Sequence, residues 1–138
     1  MRVVLDTNVF IAALLVPNGV AGELLRLWRK QKYSLLYNTE QILELKEVLA
    51  RPAFTKRIKR HRVGSLVRSI RLHGQQILNN QNSINSSDPK DDFLIAIAEH
   101  GTANYLVSRD QLGILILDLG QCKTITPEEF LSILKTQL

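Results

Sequence analysis

Four short strand-like runs recur along this chain, with segments of helical spacing between them. They are "RVVL" at 2–5, "YSLLY" at 33–37, "NYLVS" at 104–108 and "KTIT" at 123–126. Runs this short, flanked by turn residues, read as buried strands. Between them, residues 8–15 read as a helix stopped by the "PNG" turn at 17–19, and 21–30 as another carrying Leu24, Leu25, Leu27 and Trp28. Thr39 is the expected N-cap of a third helix, ended by Pro52. A short basic helix is expected over 54–60 and a longer one over 63–78. The polar stretch 79–92 reads as an exposed loop, with a brief strand near Ile84, and Asp91 or Asp92 opens a helix that stops at Gly101. "GILIL" at 113–117 suits a strand or part of a helix. The last helix has Thr126 as N-cap, Pro127 at its first position and Glu129 completing a capping box.

Strands alternating with helices argue for a mostly parallel sheet covered on both faces. The expected fold is a three-layer α/β/α sandwich with a central sheet of four to five strands. A chain of 138 residues suits a single domain, 1–138, with one substantial core. No apolar run approaches the roughly 20 residues that span a bilayer, so no membrane partner is expected. Cys122 alone allows no internal disulfide, and His61, His73 and His100 are too scattered for a structural zinc site. A cytoplasmic protein is the expectation.

The charge is unevenly spread. The net charge is +5, yet from Arg51 to Ser87 there is no Asp or Glu, while Arg51, Lys56, Arg57, Lys59, Arg60, Arg62, Arg68 and Arg71 all fall there. Such a strip beside acidic clusters suits a protein that attracts phosphates and holds a divalent cation.

Ligands of open α/β sheets bind beyond the carboxyl ends of the strands. Asp6 follows "RVVL" and Asp110 follows "NYLVS", so both fall at that edge. Asp92 opens a helix and Glu44 lies one turn into another, so four carboxylates from four elements can converge. Like charges 4 Å apart repel by about 4 kcal/mol at an effective dielectric of 20. A hard divalent ion relieves that repulsion, and Mg2+ or Mn2+ takes oxygen ligands while leaving positions for water and phosphate. Metal-activated water can then attack phosphorus in line. Each acid also has a local use: Asp6 as helix cap, Asp91 and Asp92 as helix-start acids, Asp110 as turn residue, Glu44 as a solvated helix residue.

The order of these segments carries a resemblance. "VVLDTNVFIAALL" resembles the opening of PIN-domain proteins, "LELKEVLARPAF" their second-helix segment, "DPKDDFLIAIAEHGTANYLVSRD" their third and fourth acid regions, and "ITPEEFL" their usual ending. The likeness covers Val3 to Leu131. It implies that Asp6, Glu44, Asp92 and Asp110 are the catalytic, metal-binding acids, with Asn8 and Ser108 as supporting residues and Asp91 able to share or replace the role of Asp92. It also implies an Mg2+- or Mn2+-dependent ribonuclease acting on RNA. As the toxin half of a toxin–antitoxin pair, such a chain would have an antitoxin as partner and form a homodimer. Relatives often carry a second acid just after the fourth, but here Gln111 and Leu112 follow and the next acid is Asp118. One ion is therefore expected, with a second weak or dependent on substrate phosphate.

The basic strip gives Lys56, Arg57, Lys59, Arg60 and Arg62 as RNA-binding candidates, holding phosphates without reading bases. Another reading keeps the fold but makes the protein a catalytically weak or inactive module that binds nucleic acid or a partner. A phosphoryl-transfer domain of receiver or haloacid type ranks lowest, because "LDTN" offers no paired acids and no lysine follows Ser108.

Overall fold

The structure, a computed structural model, describes residues 1–78, 89–110, 112–116 and 118–137, without the side chains of 89–92. Among the described residues there are five strands and seven helices. Val3, Val4 and Leu5 are wholly buried, as a β-branched run shielded from both sides must be, and they form most of β1 (Arg2–Leu5) at the centre of the sheet. β2 (Ser34–Tyr37) and β4 (Tyr105–Val107) flank it, β3 (Gln75–Gln76) lies outside β2, and β5 (Lys123–Ile125) lies outside β4. All four pairings are parallel, in register Val3 with Leu35 and Tyr105.

Alternation along the strands divides the core in two. Val3, Leu5, Leu35, Tyr37 and Val107 face a layer made of α1 (Thr7–Leu15), α2 (Val20–Arg29), α3 (Thr39–Leu49), α5 (Arg60–His73) and α7 (Pro127–Thr136). Val4, Leu36 and Leu106 face α6 (Pro89–His100) through Phe93, Leu94 and Ile97, with Ile114 and Cys122 closing that side. The three-layer α/β/α arrangement is thus the one expected. α1 is apolar almost all round and is buried on most of its surface, whereas α2 buries Leu24, Leu25, Leu27 and Trp28 and leaves Arg26 and Arg29 outside. The two meet at a bend of 103°. Gly22 permits that corner, since a Cβ there would collide with the carbonyl oxygen of Pro17. No single helix among the described residues is long and apolar enough to cross a membrane.

Several boundaries differ from the sequence reading. Asn38 rather than Thr39 caps α3, its side chain accepting from the Gln41 amide at 2.9 Å. The expected basic helix over 54–60 is shorter and earlier: α4 (Pro52–Thr55) stops before Lys56, because Ile58 turns inward and is buried. α5 begins at Arg60 and ends at His73, and Gly74 then leads into β3, where a helix was expected. "GILIL" is neither strand nor helix in its described part. The amides of Ile114 and Leu115 both donate to the Asp110 carbonyl, folding the segment into turns. The expected strand near Ile84 lies outside the described residues. The capping box of α7 forms as read: Thr126 Oγ1 accepts from the Glu129 amide at 3.1 Å, and Glu129 Oε1 accepts from the Thr126 amide at 3.3 Å.

Candidate active site

Strand order β3-β2-β1-β4-β5 means that the chain builds outward in one direction from β1 and later in the other from β4. The crevice between β1 and β4, at their carboxyl ends, is the topological switch point where such sheets bind ligands. Asp6 follows β1 there, and Ser108 and Asp110 follow β4.

One buried hydroxyl joins the two strands' acids. Ser108 is 0% exposed, its Oγ donates to Asp6 Oδ2 at 2.7 Å, and the same oxygen accepts from the Asp110 amide at 3.0 Å. Asp6 is only 8% exposed. Burial pushes its carboxyl above the ordinary 3.8, and the nearby charge of Asp110 adds to the rise; Ser108 and the amides of Asn8 and Thr7 pull it partly back. Asp6 also caps α1, but weakly, since the Asn8 amide stands 3.5 Å from Oδ1. Asp110 is exposed, and its Oδ1 accepts from the Gly113 amide at 2.9 Å. Gly113 is needed for that approach, because a Cβ would run into the Asp110 carboxylate. Asp110 therefore serves as the turn residue its local sequence suggests and also faces the crevice charge of Asp6.

Glu44 reaches the same neighbourhood from α3. Thr7 Oγ1, in the first turn of α1, donates to Glu44 Oε2 at 2.7 Å. α3 itself is tied to the end of β1: buried Gln41 donates from Nε2 to the Leu5 carbonyl at 2.6 Å, one turn before Glu44. Thr7 and Gln41 thus orient the site, although neither stood among the candidate residues. Their partners lie 37 and 36 residues away in the chain, so no local pattern announces them. Asn8 is exposed and lines a cavity of about 650 Å³ with Glu44, Glu47, Arg51, Phe54 and Phe93.

Asp91 and Asp92 fall in the first turn of α6, and their side chains lie outside the described residues. Phe93, the next residue, lines the cavity shared with Asn8 and Glu44. Among the described residues no three acids stand close enough to chelate one ion. The donor set nevertheless suits a hard cation. It is all oxygen, and the buried charge of Asp6 has no cationic side chain within ion-pair reach among the described residues. Arg109, the nearest basic residue in sequence to Asp110, pairs instead with Glu128.

The basic candidates separate. Lys56, Arg57, Lys59 and Arg60 are exposed around the turn from α4 into α5, with Arg60 lining a cavity against α3. Arg62 is half-buried and points to the other side, toward α1 and α2. Two residues apart on a helix is about 200°, so these two cations cannot share a face.

An all-parallel α/β domain with Asp6 and Asp110 at its switch point has the form of a nuclease-type fold. Residues 2–112 match the family model described as PIN domain, and the chain belongs to that family. PIN domains are generally nucleases, which are hydrolases, and typically use divalent metal ions. Comparison with curated proteins finds no match.

Proposed function

We propose that this protein is a divalent-metal-dependent endoribonuclease. The observation that carries the reading is the pair of hydroxyl bridges, Thr7 to Glu44 and Ser108 to Asp6, which hold acids from α3 and β1 beside the crevice that Asp110 also faces. Asp6, Glu44, Asp92 and Asp110, with Asp91 sharing or replacing Asp92, would hold Mg2+ or Mn2+. Such an ion, when bound, lowers the pKa of water and offsets charge at the phosphorus. The rest is the work of the chain. Ser108 fixes the Asp6 carboxylate in one rotamer, Thr7 does the same for Glu44, and Asn8 at the cavity mouth can donate to a phosphate oxygen. The exposed cations Lys56, Arg57, Lys59 and Arg60, with Arg62, draw the RNA backbone toward the protein.

The same proposal makes the protein the toxin half of a toxin–antitoxin pair, homodimeric and cytoplasmic. Membership of the PIN family and the single, buried Cys122 support it. Asp6→Asn and Asp92→Asn should each abolish Mg2+-dependent cleavage of a structured RNA while leaving the circular dichroism spectrum unchanged. Cleavage retained by both variants refutes the proposal. A second reading, a binding module that does not cut, draws on the lack of a three-acid group among the described residues. RNA bound in chelator and left intact on adding Mg2+ or Mn2+ would establish it.

A further inference from the structure

α5 carries Arg62, Ser65, Ser69 and His73 at intervals of three, four and four residues, which is one face of a helix. Across from that face stand Arg26 and Arg29, a turn apart on α2. Between them lie two adjoining cavities of about 280 Å³ and 680 Å³, and Arg29 lines both. Arg26, Arg62 and Ser65 line the smaller; Ser69 and His73 line the larger, with Trp28 and Tyr33 buried in its floor. No acidic residue lines either cavity. Among the described residues Arg26, Arg29 and Arg62 have no ion-pair partner.

We infer that the trough between α2 and α5 is a second polynucleotide-binding surface, separate from the acidic crevice, that grips consecutive phosphates of a single strand. From Arg62 to His73 is about 16 Å of helix, several phosphate spacings along one strand. Every permanent cation of the trough is arginine, whose planar fork takes two phosphate oxygens at once, and serine hydroxyls stand between as further donors. The aromatic rings are buried in the floor, so they give bases no stacking face, which makes the backbone the part recognised. Ala13 and Leu14, lining the smaller cavity, lie about 10 Å along α1 from Asp6. A strand seated here is held away from the acids. The inference rests on the polynucleotide-binding part of the proposed function and not on cleavage.

The test is fluorescence anisotropy with a labelled oligouridylate of about 12 nucleotides, in chelator so that nothing is cut, across a salt series. Arg29→Gln with Arg62→Gln should lower the slope of log K against log salt by about 1.4 and weaken binding about tenfold at 0.15 M salt. Arg29→Gln alone, at an exposed position, should weaken it about fourfold, which covers the case in which the half-buried Arg62 is needed for folding. A charge-matched control, Arg71→Gln with Lys123→Gln, alters exposed cations outside the trough and should stay within twofold of wild type. Cleavage retained in Mg2+ by both Asp6→Asn and Asp92→Asn refutes the nuclease reading without touching the trough, because the anisotropy readings in chelator bear on the trough alone. Equal losses in the trough and control variants overturn the inference, because charge is then acting diffusely. So does the absence of binding by wild type, and so does displacement by a polyglutamate peptide at equal charge concentration, which would make the trough a site for acidic protein.

Discussion

Replacing Ser108 with alanine removes a side chain that touches both carboxyl-bearing strand ends. Two contacts go: the 2.7 Å bond to Asp6 and the 3.0 Å bond from the Asp110 amide. A hydrogen bond to a charged group contributes about 1.5–3 kcal/mol and one between neutral groups about 1 kcal/mol. The site is fully buried, so water cannot replace the hydroxyl, and the expected loss is about 2.5–4 kcal/mol. With about 2.1 cal/mol/K of unfolding entropy per residue over 138 residues, each kcal/mol is about 3 °C, giving a melting temperature about 8–12 °C lower near neutral pH. The loss should depend on pH in a defined sense. Asp6 already has a folded-state pKa above 3.8, and losing the Ser108 donor raises it further. A folded state that holds its proton to higher pH than the unfolded chain loses stability as pH rises through that interval. The variant goes on losing stability over a wider interval than wild type. The gap between them should therefore be smallest, near the roughly 6 °C of two neutral bonds, at the acid end, and should open toward pH 7. Scanning calorimetry in chelator at several pH values reads it directly. A gap under about 3 °C near neutral pH, or one that is the same at every pH, refutes the reasoning.

Three further outcomes follow from the same crevice. Asp6→Asn, measured without metal, should melt at the same temperature as wild type or higher, since it removes a buried charge beside Asp110 and asparagine remains a good N-cap; a clear drop would make Asp6 a structural cap. Thr7→Val should cost about 1–3 kcal/mol and lower kcat more than it raises KM, because Glu44 loses its 2.7 Å donor, while Thr7→Ser should recover most of both; equal damage from valine and serine would remove the hydroxyl from the explanation. Mn2+ at about a hundred times its dissociation constant should stabilise wild type by about 2.7 kcal/mol and leave Asp6→Asn unmoved, and an equal shift in both by calorimetry would place the ion elsewhere.

What could be read from the chain and what could not divides on physical lines. β1 and β4 were legible because strands buried on both faces must be continuously apolar, and Asp6 was conspicuous for interrupting such a run. The α7 capping box was legible because all its bonds fall within three residues. β3 was hidden. It is two exposed glutamines paired, among the described residues, with β2, and no periodicity marks so short an edge. The 113–117 run misled because its apolar composition suits a strand, yet Ile114 is buried while Ile116, which one strand face would place beside it, is exposed; the described part is folded into turns by bonds to Asp110. The switch-point geometry made Asp6 and Asp110 plausible from order alone. The tethers through Thr7, Gln41 and Ser108 join residues remote in sequence and become visible only once the layers have packed.

The Asp6–Ser108 bond spans 102 positions of the chain. During synthesis Asp6 is made 102 residues before Ser108, and it acquires the aligning hydroxyl only after β4 has paired with β1. The aligned pair of Asp6 and Ser108 is therefore a product of tertiary packing, complete only once the chain has been made through the end of β4.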